Sequence, residues 1–435
     1  MCRQRFILGL RAAFSRALLI ASITAGCGGT DAPSDAHVDV RADVRDASLD
    51  ARDTGVRDAI TDVRDAGRTD VARVDVTDVP VDVGSPDDIV DVIDVDDIED
   101  VIEDLVHPDD VPPFEEGVVT FAGSGDPGLV NGLRVDARFD NPVNVAVSPA
   151  GDVYVADFGN NAVRKIEPDG WVTTFIRQAG FEAPFGLAFA PDGTLYIETD
   201  ANDMGGRSNS TGTVWRVAPG ERTAEVITRN IGRPRGLVVL GDGRIAMSDY
   251  VLHVIETLDP NDGTVTVIAG SRSRAGHVDG AGAATRFNRP YGMALRGDGA
   301  LVVADQGNQR IRVVTLEGQV TTLAGSGAAG SDDGPAAMAQ FNGPQGLAIN
   351  SMGVVFVSEA DGHRVRQVTP DGTVTTLAGD GVAGFVDGAL AEAEFYGLEG
   401  LAISPDDQIL YLPDGNRGTG EPYHRMRRIL LPLPE

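Results

Sequence analysis

The chain has 435 residues, a formal net charge of −30, and 66 acidic residues against 36 lysines and arginines. Such a chain does not offer the basic surface that nucleic-acid phosphates require, so we expect no nucleic-acid partner. Its two cysteines are Cys2 and Cys27, so residues 28–435 can contain neither a disulfide nor a thiolate site. The acidity is uneven: residues 28–116 hold 28 Asp and Glu against 7 Arg, a net of −21, and residues 117–435 carry −13.

Residues 1–27 have the pattern of an export signal. Four arginines accompany a short apolar run, 17–23, which cannot span a bilayer as a helix. Small residues then precede Cys27, and this ending resembles a bacterial lipobox, although Thr24 stands where an aliphatic residue is usual. The resemblance implies cleavage before Cys27 and its lipidation; the alternative is an ordinary signal peptide. Gly28 is not an aspartate, so we expect an outer-membrane lipoprotein or a secreted protein.

Residues 28–116 form a low-complexity segment rich in Asp and Val, with almost no aromatic residues. Because it cannot bury enough apolar surface to offset its ordering entropy, we predict a disordered tether. Within it, residues 86–106 place apolar side chains partly at helical spacing. Aspartates there, such as Asp94 and Asp96, would bind Ca²⁺ in the right geometry, but they lack the glycine and glutamate of an EF-hand loop. A solvated acidic run is the preferred interpretation.

From residue 117 onward the chain repeats itself. One motif is Phe, two residues, Pro, one residue and Gly, followed by an apolar strand. A second is Ala-Asp-x-Gly-Asn after the next strand, and a third is a closing Pro-Asp-Gly turn. The six imperfect copies of the first motif begin at Phe139, Phe181, Ile231, Phe287, Phe341 and Phe395. Ile231 replaces the phenylalanine of the third copy, Asn144 the glycine of the first, and Leu398 the proline of the sixth. Four short strands per copy, separated by turns, are typical of a propeller blade.

These motifs, exemplified by residues 341–379, resemble the NHL-repeat family of β-propellers, and the resemblance covers 117–435. It implies an all-β, six-bladed β-propeller. Residues 118–123 look like a fourth strand with no blade before them, and the sixth copy lacks a fourth strand. We therefore predict that the N-terminal strand completes the last blade, which removes an unpaired edge. Eukaryotic members of the family bind RNA through basic faces, which the net charge of −13 disfavours.

The turns after the second strands supply a candidate binding rim. In a propeller these turns and the connections between blades open on one face, so acidic and amide side chains from several blades would share that face. The predicted rim residues are Asp157, Asn160, Asp305, Asn308, Glu359, Asp361, Asp414 and Asn416. The alternative for each is that it only caps its own turn. No cofactor follows from the sequence with certainty; Ca²⁺ is the cation that such oxygens favour.

Catalytic motifs are weak by comparison. Related six-bladed propellers include lactonases with a channel calcium and lyases with histidine-bound zinc, but the four propeller histidines here form no ligand pair, and the sequence supports no nucleophile triad. We therefore predict a monomeric, envelope-anchored binding or scaffold protein for a protein, glycan or other polar ligand. The alternative is a metal-dependent hydrolase or lyase acting in the channel. Function is expected where copies depart from the repeat, as in the polar insertion 201–212 of blade two.

Overall fold

The computed structural model describes residues 6–9, 20–25, 38–43, 117–419 and 423–431, and the chain separates into two units, Met1–Pro113 and Phe114–Glu435. In the first unit, β1 (Phe6–Gly9), β2 (Ile20–Ala25) and β3 (Val38–Asp43) form an antiparallel sheet in that order. Cys27, the segment 86–106 and most of the predicted tether lie outside the described residues. Within the described part, no helix has the length and apolarity needed to cross a membrane.

The second unit is a six-bladed β-propeller, as the sequence predicts. Each blade is an antiparallel sheet whose strands follow one another from the axis outward. In chain order the strands are β4 (Val118–Ala122), β5 (Gly132–Leu133), β6 (Pro142–Val147), β7 (Val153–Asp157), β8 (Ala162–Ile166), β9 (Trp171–Ile176), β10 (Pro184–Phe189), β11 (Leu195–Thr199), β12 (Thr213–Val217), β13 (Glu225–Arg229), β14 (Pro234–Val239), β15 (Ile245–Asp249), β16 (Val254–Leu258), β17 (Val265–Gly270), β18 (Gly280–Ala281), β19 (Pro290–Leu295), β20 (Leu301–Asp305), β21 (Arg310–Val314), β22 (Gln319–Ala324), β23 (Pro344–Ile349), β24 (Val355–Glu359), β25 (Arg364–Val368), β26 (Val374–Ala378), β27 (Ala402–Ile403), β28 (Ile409–Asp414) and β29 (Arg425–Leu430).

Blades one to five are β6–β9, β10–β13, β14–β17, β19–β22 and β23–β26, and short strands β5 and β18 extend the outer edges of blades one and four. Blade six is β27–β29 completed by β4. Residues of β4 pair with β29 in antiparallel register, with Ala122 opposite Met426 and Thr120 opposite Arg427. The predicted closure of the last blade by the N-terminal strand is therefore confirmed.

Burial differs between the inner and outer strands of each blade. The second strands, such as β7 and β20, are buried at every residue because each blade is covered on both faces by its neighbours. The motif phenylalanines fill the space between blades: Phe139, Phe287, Phe341 and Phe395 have no exposed surface. The outermost strands are more exposed, as in β13, where no residue is buried.

The glycine of the Pro-x-Gly motif marks where neighbouring innermost strands approach most closely. A Cβ placed on Gly292 of blade four would lie 2.2 Å from the carbonyl oxygen of Gln345 in blade five. One on Gly346 would lie 2.5 Å from the carbonyl carbon of Gly400 in blade six. At these two positions only glycine permits the approach, and it keeps the central channel narrow there; blade one has Asn144 instead.

Candidate functional site

Four of the five carboxylates of the predicted rim lie at the ends of the second strands and point into the blades. Asp157, Asp305, Glu359 and Asp414 are at most 1% exposed. Each accepts a hydrogen bond from an arginine of the third strand. The nitrogen–oxygen distances are 3.0 Å from Arg164 to Asp157, 2.6 Å from Arg312 to Asp305, 3.1 Å from Arg366 to Glu359 and 3.0 Å from Arg427 to Asp414.

The same arginines tie each blade to the long connection that enters it. Arg312 lies 5.2 Å above the ring of Phe287, donates to the carbonyl oxygen of Arg286 at 3.3 Å, and donates through its other terminal nitrogen to Asp279 of the connection. Blades one, five and six repeat this arrangement, and the connection residues that accept from the arginine are Asn131, Asp333 and Asp387. We call this repeated arrangement the arginine network.

The amides of the predicted rim belong to the same turns. Asn160 donates to Asp157 and to the carbonyl oxygen of Gly128, both at 2.8 Å, and Asn308 bonds Asp305 and Gly276 in the same way. Asn416 is buried and caps Gly418. Asp361 is exposed and pairs with Arg417 at 2.9 Å. The eight residues therefore lie in four blades without converging on one point, and their role as a binding rim stays a prediction.

Blades two and three lack the arginine network. In blade two, Thr199 and Trp215 occupy the acid and arginine positions, and the indole nitrogen donates to the threonine hydroxyl at 2.8 Å. In blade three the two positions hold Asp249 and Glu256, both fully buried. Burial, together with the nearby Asp249, raises the pKa of Glu256 to about 7 even though Arg272 pairs with it.

A different set of side chains converges on the axis. It comes from the fifth residue of the repeated motif, which lies between Pro and Gly in four copies. Asn144 replaces the glycine in the first copy, and Leu398 replaces the proline in the sixth. The six members are Val143, Phe185, Arg235, Tyr291, Gln345 and Glu399. Tyr291 of blade four donates its hydroxyl to Glu399 of blade six at 3.2 Å, and its ring centre lies 5.7 Å from that of Phe185 in blade two. Contacts between non-adjacent blades show that these side chains meet across the channel.

The blade-two insertion adds charge to this meeting point. Asp200, just before the insertion, is fully buried and accepts hydrogen bonds from Arg235 at 2.7 and 3.2 Å. It also accepts from Nε and one terminal nitrogen of Arg233. Arg207, inside the insertion, approaches Asp200 to 3.6 Å. Burial would raise the pKa of Asp200, but Arg235 and Arg233 outweigh it, so the pKa lies below its usual value.

Glu198 lies beneath these arginines in a position that holds only Ala, Ser or Pro in the other blades. It has no exposed surface, and neither carboxyl oxygen has a hydrogen-bond partner; the nearest guanidinium nitrogen, on Arg235, is 3.9 Å away. Burial, with Asp200 nearby, raises its pKa well above the usual value, and Arg235 opposes that rise. We define the channel-mouth cluster as Phe185, Glu198, Asp200, Arg207, Arg233, Arg235, Tyr291, Gln345 and Glu399.

Potential metal ligands are not grouped in the part of the chain that the structure describes: no three His, Cys, Asp or Glu side chains are placed to hold one ion. Two of the propeller histidines accept hydrogen bonds from backbone amides instead. Nδ1 of His253 accepts from the amide of Arg289 at 3.0 Å, and Nδ1 of His424 accepts from Asn141 at 2.8 Å.

The fold and the cluster define a class: a six-bladed propeller with polar and aromatic side chains gathered at one mouth of its channel. Residues 139–166 and 341–368 each match the family model described as NHL repeat. Over 339 residues the chain is 25% identical to NHL repeat-containing protein 2 of Bos taurus, covering 73% of the chain and 43% of that protein. Over 302 residues it is 26% identical to Protein SUPPRESSOR OF QUENCHING 1, chloroplastic, of Arabidopsis thaliana, covering 61% and 29%.

The chain is therefore similar to NHL-repeat proteins, and it spans less than half the length of these two curated relatives. Among solved structures, it is similar to an auxiliary nutrient binding protein from Bacteroides ovatus, with a TM-score of 0.57, 21% identity, and coverage of 72% of this chain and 76% of that one. A similar protein from Bacteroides thetaiotaomicron gives a TM-score of 0.57 at 17% identity, with 72% and 75% covered. At such identities the likeness establishes the fold alone.

Replacing an arginine of the network should destabilise the propeller strongly. In Arg312→Met, Asp305 loses its guanidinium partner while still buried, and Asp279 loses its link to the blade. We expect a loss of about 3–5 kcal/mol in the free energy of unfolding. The matched control is Arg244→Gln, because Arg244 is 40% exposed in an ion pair with the exposed Asp242; it should cost less than about 1 kcal/mol. Equal losses in urea unfolding would contradict the role of the network.

Glu256 should make stability depend on pH. Its pKa is raised to about 7 in the folded chain from 4.5, so its ionisation opposes folding as pH rises from about 4.5 through 7. Glu256→Gln should therefore gain stability relative to the parent chain between pH 5 and pH 8, by about 1–3 kcal/mol. Denaturant unfolding at both pH values measures this, with Glu225→Gln on the exposed outer strand as control. A gain of the same size at both pH values would show that Glu256 does not titrate in this range.

Proposed function

We propose that this protein is an exported, monomeric binding protein whose propeller holds a polar ligand at the channel-mouth cluster. The observation that carries the proposal is the convergence of Pro-x-Gly side chains from different blades on one point, where Tyr291 contacts both Glu399 and Phe185. A rigid concave scaffold with a few polar groups among aromatic rings is the usual form of a small-ligand site.

The unused polar atoms of the cluster agree with a ligand site. The side-chain oxygen of Gln345 and both carboxyl oxygens of Glu198 are buried without a partner in the described structure. Buried polar atoms without partners are costly in a folded protein, so a bound polar molecule would supply the missing hydrogen bonds.

The solved structures with similar folds lend a second kind of support. Two of them are named auxiliary nutrient binding proteins. A binding role at the cell envelope fits both those names and the export pattern of residues 1–27. The hydrolase or lyase alternative would need metal ligands or catalytic groups left free at the axis. The acids there are engaged instead: Glu399 accepts from Tyr291, and Asp200 accepts from Arg235 and Arg233. Binding is therefore the function that the geometry supports best.

The sequence before residue 117 supplies the rest of the proposal. Lipidation at Cys27 would hold the chain on a membrane, and residues 28–116 would act as a tether with a span of roughly 50 Å. The propeller would then present the channel-mouth cluster away from the bilayer surface to diffusing ligands.

Ligand binding can be tested with Gln345→Met, which keeps the side-chain volume and removes an amide whose oxygen is already unpartnered. We expect at least one compound from a library of polar metabolites and saccharides to raise the melting temperature of the parent protein by several degrees. The variant should fold normally and lose most of that shift, whereas Arg244→Gln should retain it. No stabilising compound, or equal shifts in parent and Gln345→Met, would contradict a site at the channel mouth.

Membrane anchoring can be tested with Cys27→Ser in the full chain. We expect the parent protein in the membrane fraction of a bacterial host and the variant in the soluble fraction, because the acceptor thiol is gone. Cys2→Ser is the matched control and should fractionate like the parent. Identical fractionation of all three proteins would refute lipidation at Cys27.

A further inference from the structure

We propose that the ligand of the channel-mouth cluster is an anionic sugar, whose acid group is bound by Arg207 and Arg233 and whose ring lies against Phe158 and Tyr250. This inference rests on the proposed function and specifies its ligand class. It follows from the balance of charges at the channel mouth, from the donors left free there, and from the aromatic side chains beside them.

The first step is the balance of charges. Three guanidinium groups, on Arg207, Arg233 and Arg235, surround the single carboxylate of Asp200. Glu198 lies beneath them, with its carboxyl oxygen 3.9 Å from Arg235, so three guanidinium groups face two carboxyl groups. Positive charge therefore exceeds negative charge around Asp200, although the propeller as a whole is acidic, and an anion is the ligand that this excess attracts.

Glu399 is the remaining acid at the channel mouth, and it lies on the far side of Tyr291. It accepts a hydrogen bond from the Tyr291 hydroxyl at 3.2 Å, and burial raises its pKa. Arg235 and then Arg417 oppose that rise, and Asp200 adds to it. Because the hydrogen bond of Glu399 is to Tyr291, it does not occupy the donors of Arg207 and Arg233.

The second step concerns which arginines can reach a ligand. Arg235 is only 6% exposed, and both of its terminal nitrogens are engaged by Asp200. Arg233 is 25% exposed, and the terminal nitrogen that does not bond Asp200 has only a long 3.4 Å contact to Asn209. Arg207 is 52% exposed and lies 3.6 Å from Asp200. Arg233 and Arg207 therefore retain donors that face solvent, and guanidinium groups suit the paired oxygens of a carboxylate or phosphate.

The third step is the aromatic wall. Phe158, Phe185, Tyr291 and Tyr250 form a continuous series of edge-to-face contacts, with ring centres 6.2, 5.7 and 5.6 Å apart. The two ends of the series, Phe158 and Tyr250, are partly exposed. The Arg207 guanidinium lies 4.8 Å from the centre of the Phe158 ring, so a charged donor and an aromatic side chain stand side by side. An acid group carried on a ring with an apolar face would contact both.

The test compares three sugars that share one ring and differ in charge: glucuronate, glucose and glucosamine. Binding is measured by calorimetry on the full chain at low ionic strength. We expect glucuronate to bind at least tenfold more tightly than glucose, and glucosamine to bind more weakly than either. Arg207→Gln and Arg233→Gln should each weaken glucuronate binding by roughly tenfold or more, the effect of removing one hydrogen bond to a charged group. Arg244→Gln, on an exposed turn of blade three, should leave binding unchanged.

Arg207→Gln keeps the test valid if Arg233→Gln folds poorly, because Arg207 is half exposed. Glucose or glucosamine binding as tightly as glucuronate, in a manner that depends on Gln345, would overturn the anionic ligand and leave the proposed function standing. Failure of all three sugars while another library compound binds would also overturn it. Glucuronate binding that neither arginine variant weakens would refute the assignment of the acid group to this site.

Discussion

A buried guanidinium joins each of four blades to the connection that enters it. Arg312 bonds an acid of its own blade, Asp305, and an acid of the connection, Asp279, and its guanidinium lies over Phe287. A charge removed from water in this way is tolerated only when its hydrogen bonds are nearly all satisfied, so arginine, acid, phenylalanine and connection depend on one another. The same dependence in blades one, five and six makes these four blades alike. It also directs their second-strand carboxylates into the blades.

Blades two and three do not contain the arginine network. Their connections are short, residues 177–183 and 230–233. The one acid in them, Glu182, is exposed. Trp215 and Glu256 then occupy the position that arginine holds elsewhere. The turn after the second strand of blade two lengthens into the insertion that brings Asp200 and Arg207 to the channel mouth. The irregular blades therefore carry the charges of the candidate site, and the regular blades hold the ring around it.

Much of the fold could be predicted from the sequence because it repeats. The six copies of the Phe-x-x-Pro-x-Gly motif indicate six blades. The unpaired strand at Val118 indicates that the N-terminal strand completes the last blade, as the structure shows. The arginine network had a signal too: Arg164, Arg312 and Arg366 each follow their acid by seven residues, which places both on one face of a strand pair. The channel-mouth cluster could not be predicted from the repeats, because its residues do not repeat. The fifth residue of the motif differs in every copy, and only the closed ring shows that these six positions meet.

That contrast has a physical origin in the neighbouring glycine. Because a Cβ on Gly292 would lie 2.2 Å from the carbonyl oxygen of Gln345, the innermost strands can keep their spacing only with glycine at that place. The residue just before it, Tyr291, extends into the channel and has no such constraint from the adjacent strand. One position of the motif therefore sets the width of the channel, and the next sets its chemistry. A chain built this way can change the chemistry of its channel mouth through single substitutions while the backbone of the ring stays fixed, which is why the six residues can be so different within one regular fold.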